Sequence, residues 1–325
     1  MVGKITSDGI LSASLAPVLM NESHPTYGMS RNDLMARVMN ARGLGEYPQE
    51  EFKGSEAAEH GNELEGYIIK TAADRLGIDH FADEISITYD YENLFSVSLD
   101  GILFNKEGMT LKASDGIILM NGEDTMELKG DGPIEAKLTS AAYTEVPPPY
   151  RGPWQLEMQM LCKGASWGVI ATLYQGTRLV LNVYQADPER QKLLIDAAHD
   201  FYQRIKGPDW YPAMDSADGA RTWDKGEEMP AIDLEPIAQV AMSYYEAKRA
   251  MKAADELAKK LEPQLMTHMG NHELAQLTDE NGDVLFELKW PTRSFKAQPE
   301  KVTPAKEARV ERQKSLSIPA KWINQ

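Results

Sequence analysis

The chain has 325 residues, 42% of them hydrophobic, which is enough for one large domain with an appendage or for two domains. Its 34 Lys and Arg against 50 Asp and Glu leave a formal charge of −16, which counts against a simple cationic coat for nucleic acid but not against a locally basic or cation-filled groove. The single Cys162 excludes an intramolecular disulfide, a cysteine-based zinc site and a four-cysteine iron–sulfur cluster.

The first twenty residues lack the apolar core and small-residue cleavage site of a secretory signal, and no apolar run approaches the roughly 20 residues of a membrane span. With the lone cysteine, this leads to the expectation of a cytoplasmic protein with no membrane partner. The segment Met1–Glu51 has short apolar stretches and a helical pattern at Arg31–Arg42. From Gly54 to Leu76 the periodicity predicts a helix: Leu64, Ile68, Ile69, Ala72, Ala73 and Leu76 recur at three- and four-residue steps, and Gly77 stops it. Ile85–Tyr89 alternates as a strand does, and a turn near Tyr91-Glu92-Asn93 leads into a second strand, Leu94–Leu103.

Asn105–Gly132 is rich in Gly and Asp and reads as an inserted hairpin or loop, and Ile134–Leu138 as a further strand. After Pro147-Pro148-Pro149, Trp154–Lys163 reads as a helix whose Trp154, Met158 and Leu161 form a core stripe. Trp167–Tyr174 and Thr177–Tyr184 are strand-like runs joined at Gln175-Gly176, and Asp187–Ile205 is a helix with Pro188 in its first turn. This order predicts an α/β (α+β) fold, with a mixed central sheet flanked by helices, over residues 1–232. Residues 233–325 form the appendage: a helix at Ile237–Leu261 stopped by Pro263, a hairpin at Leu274–Leu288 turning at Asn281-Gly282, and a locally basic tail, Lys289–Lys314. The six histidines show no paired metal spacing beyond His268 and His272, and surface positions are expected for them.

Two short segments carry the chemistry. Ser98-Leu99-Asp100-Gly101 and Ile134-Glu135-Ala136-Lys137 each end an apolar run on charge. Residues two apart in a strand share a face, so Glu135 and Lys137 converge on one site. With Asp100 they offer hard oxygen ligands for Mg²⁺ or Mn²⁺ and an ammonium to orient a water and offset phosphate charge. Glu65 lies three, four and seven residues before Ile68, Ile69 and Ala72, on the apolar face of its helix, where a carboxylate needs a partner. A competing pair, Asp115 and Glu127-x-Lys129, lies inside the insertion at about 105–132; the Asp100 pair has the better strand context.

In this order the motifs resemble the lambda-type phage exonucleases and YqaJ-like viral recombinase nucleases of the PD-(D/E)XK (restriction-endonuclease-like) superfamily. The matching pieces are Gly61-x-x-x-Glu65, Ser98-x-Asp100-Gly101, Glu135-x-Lys137 and the helix bearing Gln155, with Leu11-Ser12-Ala13-Ser14 upstream. The resemblance spans about Ile10–Ile205. It implies a DNA exonuclease for double-stranded ends, 5′→3′, working with two Mg²⁺ (Mn²⁺ can substitute) in phage-type recombination by single-strand annealing. A structure-specific or restriction-like endonuclease and a non-catalytic DNA-end-binding module are the alternatives. Asp100, Glu135 and the Ala136 carbonyl would bind metal, Glu65 would complete the acidic site, Lys137 would position or activate the water, and Gln155 would orient it. Ser14, Ser98 and Arg151 would contact phosphate. Asp90 is a weaker acidic candidate in the preceding hairpin. The implied partners are a single-strand annealing protein and further copies in a ring, such as a trimer, in the host cytoplasm for a phage-encoded chain. The family's arginine ahead of the serine segment has no counterpart, with Lys4 the nearby cation, and Glu157 stands where the family's second glutamine falls.

Overall fold

The computed structural model describes residues 6–23, 28–47, 56–83, 87–223 and 231–289. Lys4, His24 and the basic stretch beyond Lys289 lie outside them. The chain separates into two compact units, residues 1–223 and 224–325.

In the first unit a 3-10 turn, Ala13–Leu15, leads into α1 (Ala16–Leu19), α2 (Arg31–Ala41) and α3 (Glu56–Leu76). Strands β1 (Phe81–Ala82), β2 (Tyr89–Tyr91), β3 (Phe95–Val97), β4 (Gly101–Leu103), β5 (Met109–Lys112), β6 (Ile117–Leu119), β7 (Thr125–Leu128) and β8 (Gly132–Thr139) follow. Then come α4 (Pro153–Lys163), β9 (Trp167–Tyr174), β10 (Arg178–Gln185), α5 (Pro188–Arg204) and α6 (Ser216–Thr222). Local chemistry sets the helix ends. Ser30 and Asp33 form a reciprocal capping box on α2, Asp187 caps α5 ahead of Pro188, and α4 is bracketed by Gly152 and Gly164, both at positive φ.

Six strands form one mixed sheet in the order β1-β4-β8-β9-β10-β6, with β8–β9 and β10–β6 parallel and the rest antiparallel. Strands β9 and β10 are buried along nearly their whole length, as near-continuous apolar runs in a sheet covered on both faces should be. Ile68, Ile69, Ala72 and Ala73 of α3 pack with Ile134, Val169, Leu181 and Val183 on one face. On the other face Leu156 and Met160 of α4 meet Ile170 and Tyr184. The far side of α4 enters a third cluster through Met158, with α1, α2 and α5. Because strand parity alternates, Ile134 faces α3 while Glu135 and Lys137 face α4.

Four expectations need correction. The predicted strand Leu94–Leu103 is two strands: β3 pairs with β2 in a separate ribbon, and β4 joins the main sheet, with Ser98-Leu99-Asp100 between them. The strand placed at Ile85–Tyr89 begins at Tyr89 and runs to Tyr91, with 85 and 86 outside the described residues. The insertion does form a hairpin, β5 with β7, but β6 between them adds to the main sheet beside β10, since Ile117 and Leu119 bury in the α3 core. In the second unit, α7 (Ala238–Met269) runs through Pro263 instead of stopping there. The residues around the proline are exposed, so water can take the carbonyl it leaves without a partner.

That unit is completed by the hairpin β11 (Leu274–Thr278) and β12 (Val284–Lys289), turning at Asp279–Asp283 with Gly282 at positive φ. Helix α7 ends before His272, so His268 and His272 do not share its face; all five described histidines are exposed. Among the described residues no helix is long and apolar enough to cross a membrane.

Gly101 opens β4 directly after Asp100, and a Cβ there would lie 2.7 Å from the Ala82 carbonyl oxygen and 2.9 Å from Ile134 Cγ2. Backbone cannot yield as a side-chain tip can, so Gly101→Ala should destabilise the chain by about 1–3 kcal/mol. Urea unfolding followed by circular dichroism measures this, and an unchanged midpoint would contradict the close approach.

Candidate functional site

Glu135 is the centre of a polar cluster between β8 and α4. Its side chain is 2% exposed, yet both oxygens are engaged. Oε1 accepts from Lys137 Nζ at 2.5 Å and from Gln155 Nε2 at 2.6 Å; Oε2 accepts from Gln159 Nε2 at 2.7 Å. Lys137 Nζ also donates to Gln155 Oε1 at 3.0 Å, closing a small ring of three side chains. Gln155 and Gln159 are four apart on α4 and therefore share a helix face. Gln159 also reaches the Ser98 carbonyl at 3.3 Å, which ties α4 to the segment leading into Asp100.

Asp100 joins from the end of that segment. Its Oδ2 accepts the Ala136 N–H at 2.9 Å, so the carboxylate lies against the β8 backbone between Glu135 and Lys137. Burial, and then the Glu135 charge, push the Asp100 carboxyl well above its ordinary range; Lys137 and the Ala136 N–H oppose this without cancelling it. Glu65, half-buried on α3, is also raised, by burial first and then by Glu135, with Lys137 opposing and Asp83 adding to the shift. For Lys137, burial works against the ammonium, but Glu135, Asp100, Glu65 and the hydrogen bond to Glu135 outweigh it and hold the pKa above a lysine's usual value. Three carboxylates thus face one ammonium.

Among the described residues no group of three or more His, Cys, Asp or Glu side chains is arranged to hold a metal ion. The donor set present is smaller: Asp100 and Glu135, with Glu65 acting on them through its charge. Mg²⁺ is commonly held by one or two carboxylates and completed by waters and substrate phosphate, so this set fits such an ion, and the mutual repulsion of the carboxylates is what a cation relieves.

The other expected residues are placed less centrally. Ala136 meets the cluster through its N–H, which donates to Asp100. Ser98 is exposed and linked through its backbone. Ser14 is exposed on the 13–15 turn that packs on α4, and its Oγ lies 3.3 Å from Ser12 Oγ. Arg151 stacks over Tyr150 at 5.6 Å, in the turn ahead of α4. Asp90 is exposed on β2; its charge adds to the burial that pushes the Cys162 thiol up to about 12. Of the competing pair, Glu127 accepts from Thr110 across the inserted hairpin, and Asp115 and Lys129 are exposed in the flanking turns.

Gln159 is the residue that motif reading missed. Counting two positions from Gln155 leads to Glu157, but Glu157 faces away and holds the start of α5, accepting from Asp187 N at 3.0 Å and Gln191 Nε2 at 2.9 Å. The helical step of four would have led to Gln159.

Fold and site define a mixed α/β protein whose central mixed sheet is flanked by helices and carries a buried acidic cluster with one lysine. Solved structures similar to the chain include the alkaline exonuclease LHK-Exo from Laribacter hongkongensis, at 18% identity and TM-score 0.43, covering 62% of this chain and 90% of that one. The same enzyme in complex with dAMP gives a TM-score of 0.44 over the same shares, at 18% identity. A phage-related exonuclease from Haemophilus somnus 129PT is 13% identical with TM-score 0.39, covering 61% of this chain and 96% of that one. No protein-family model matches the chain, and no curated protein does.

Since burial and like charge make ionised Asp100 costly, Asp100→Asn should raise the Tm of the metal-free protein by on the order of 2–4 °C at neutral pH, because the amide oxygen can still accept from Ala136. Scanning fluorimetry in EDTA measures this. Added Mg²⁺ should raise the Tm of wild type and not that of the variant; a lower Tm for the variant in EDTA would count against the repulsion.

Proposed function

We propose that this chain is a Mg²⁺-dependent deoxyribonuclease that degrades double-stranded DNA from its ends. The observation that carries the reading is the convergence of Asp100, Glu135 and Lys137 on one sheet face, beneath the paired amides of Gln155 and Gln159. Asp100 and Glu135 would hold Mg²⁺, or Mn²⁺ in its place, which would supply positive charge at the scissile phosphodiester and make an attacking water more acidic.

The protein's own groups set the rest. The Glu135, Asp100 and Glu65 charges and the hydrogen bond to Glu135 hold Lys137 above a lysine's usual pKa, so it carries a proton in the metal-free cluster. Its role is to present a fixed positive charge to the phosphate and to orient the nucleophile. The Glu135 and Gln155 contacts aim that ammonium. Gln159 fixes the second oxygen of Glu135, so the carboxylate has one orientation. Glu65 adds a further negative charge that acts on Asp100 and Lys137 and favours cation binding. A local cation-holding cluster also reconciles the net charge of −16 with a polyanionic substrate.

The family resemblance extends this reading to 5′→3′ polarity, a 5′-phosphate product, phosphate contacts from Ser14, Ser98 and Arg151, a ring of subunits and a single-strand annealing partner. The test is release of acid-soluble nucleotides from linear duplex DNA. EDTA should abolish it, and Glu135→Ala or Lys137→Ala should lower it on the order of 10²–10³-fold. Gln159→Leu should cost about 10–100-fold with the fold intact, and Glu127→Ala should leave the rate unchanged. Covalently closed circles should survive; their cleavage would redirect the reading to an endonuclease. Lack of turnover with any divalent cation would leave a DNA-end-binding module.

A further inference from the structure

Helix α7 carries an apolar seam along which Val240, Met251, Leu261 and Leu265 are exposed and Tyr244 is half-buried, with Lys248 over its ring, among the described residues. From Val240 to Leu265, steps of four and three alternate throughout and every position reached is apolar. That 3.5-residue period is the narrow seam of a two-stranded coiled coil, distinct from the broad stripe of a helix lying on a core. The seam runs roughly 38 Å at the α-helical rise. Val240 is 68% exposed, Met251 64%, Leu261 45% and Leu265 46%. Among the described residues of this unit Met269 alone is buried, and the accompanying two-stranded hairpin is of a kind that is marginal in isolation.

The sequence of the seam specifies its own partner. It is symmetric about the helix midpoint, so that each inward position has an inward counterpart. In two antiparallel copies Met251 meets Ala254, Ala247 meets Ala258, Tyr244 meets Leu261 and Val240 meets Leu265, each contact occurring twice. Three of the four central positions are alanine, Ala247, Ala254 and Ala258, with Met251 among them, and Val240, Tyr244, Leu261 and Leu265 lie outside these. Charge agrees with this direction. Lys248, Asp255 and Glu262 line one flank of the seam, while Ser243, Ala250, Leu257 and Gln264 line the other, which is uncharged. Antiparallel packing sets like flanks together and places Lys248 against Asp255 of the second copy, twice. Parallel packing sets the charged flank against the uncharged one and forms no ion pair. Pro263 lies on the side opposite the seam.

We propose that α7 joins two copies of this chain as an antiparallel two-stranded coiled coil. The proposal is independent of the nuclease reading. Full-length Ala247→Cys and Ala258→Cys chains, mixed and oxidised, should give a covalent dimer that neither forms alone and that wild type, with Cys162 only, does not form. In sedimentation, Lys248→Glu should raise the dissociation constant about tenfold, and Lys248→Glu with Asp255→Lys should restore it. A monomer at tens of micromolar overturns the proposal, as does a variant that cross-links to itself as well as to its counterpart. A monomer whose α7 amides resist hydrogen exchange would show that the seam is covered within one chain, and likewise overturns it.

Discussion

The structure of the first unit depends on the burial of one carboxylate. Glu135 is 2% exposed in the middle of a sheet, and an ionised carboxylate taken out of water costs several kcal/mol unless it is paired and hydrogen-bonded. Lys137 alone does not meet that requirement, because it reaches one oxygen. The two glutamine amides of α4 complete it, so α4 has to lie directly over β8. That proximity constrains other positions. Gly168, on the neighbouring strand, has no Cβ because one would meet Leu156 Cδ1 at 2.9 Å and the Pro133 carbonyl oxygen at 3.1 Å. The apolar residues on both sides of α4, Leu156 and Met160 toward the sheet and Met158 toward α1 and α5, hold the helix where its amides are needed.

Charge in the cluster is left unbalanced. Lys137 is held charged while Asp100 and Glu65 are pushed toward the neutral form by burial and by Glu135. A site optimised for stability would replace an acid with an amide or a hydrocarbon. Retaining three carboxylates around one ammonium leaves their mutual repulsion only partly offset.

Much of this was legible in the sequence, and the exceptions have physical causes. The period of two gave Glu135 and Lys137 a common face, and the period near 3.6 gave α3 its buried stripe of Ile68, Ile69, Ala72 and Ala73. Unbroken apolar runs marked β9 and β10. What local pattern could not show was where chain segments meet. The break at Ser98-Leu99-Asp100 depends on β3 pairing with β2 while β4 pairs with β8, although the residues on both sides read as one strand. The docking of β6 depends on an apolar groove provided by β10 and α3. The motif's spacing points to Glu157, whereas the helix, by its turn, places Gln159 beside Glu135.

Pro263 shows the same limit in the second unit and bears on how α7 is stabilised. A proline inside a helix costs about 3 kcal/mol relative to alanine. The exposed pairs Lys252–Glu256 and Lys259–Asp255 contribute about 0.3–0.5 kcal/mol each. Alanine-rich composition favours the helix, but propensity differences of a few tenths of a kcal/mol per residue do not by themselves explain continuation past a proline to Met269. Leu261 and Leu265 lie one on each side of it, both about half exposed in the single chain. Burying the exposed half of two such side chains is worth about 0.7–1.4 kcal/mol each, which offsets roughly half or more of the proline's cost. The persistence of the helix through Pro263 and the symmetry of its seam therefore point to the same contact.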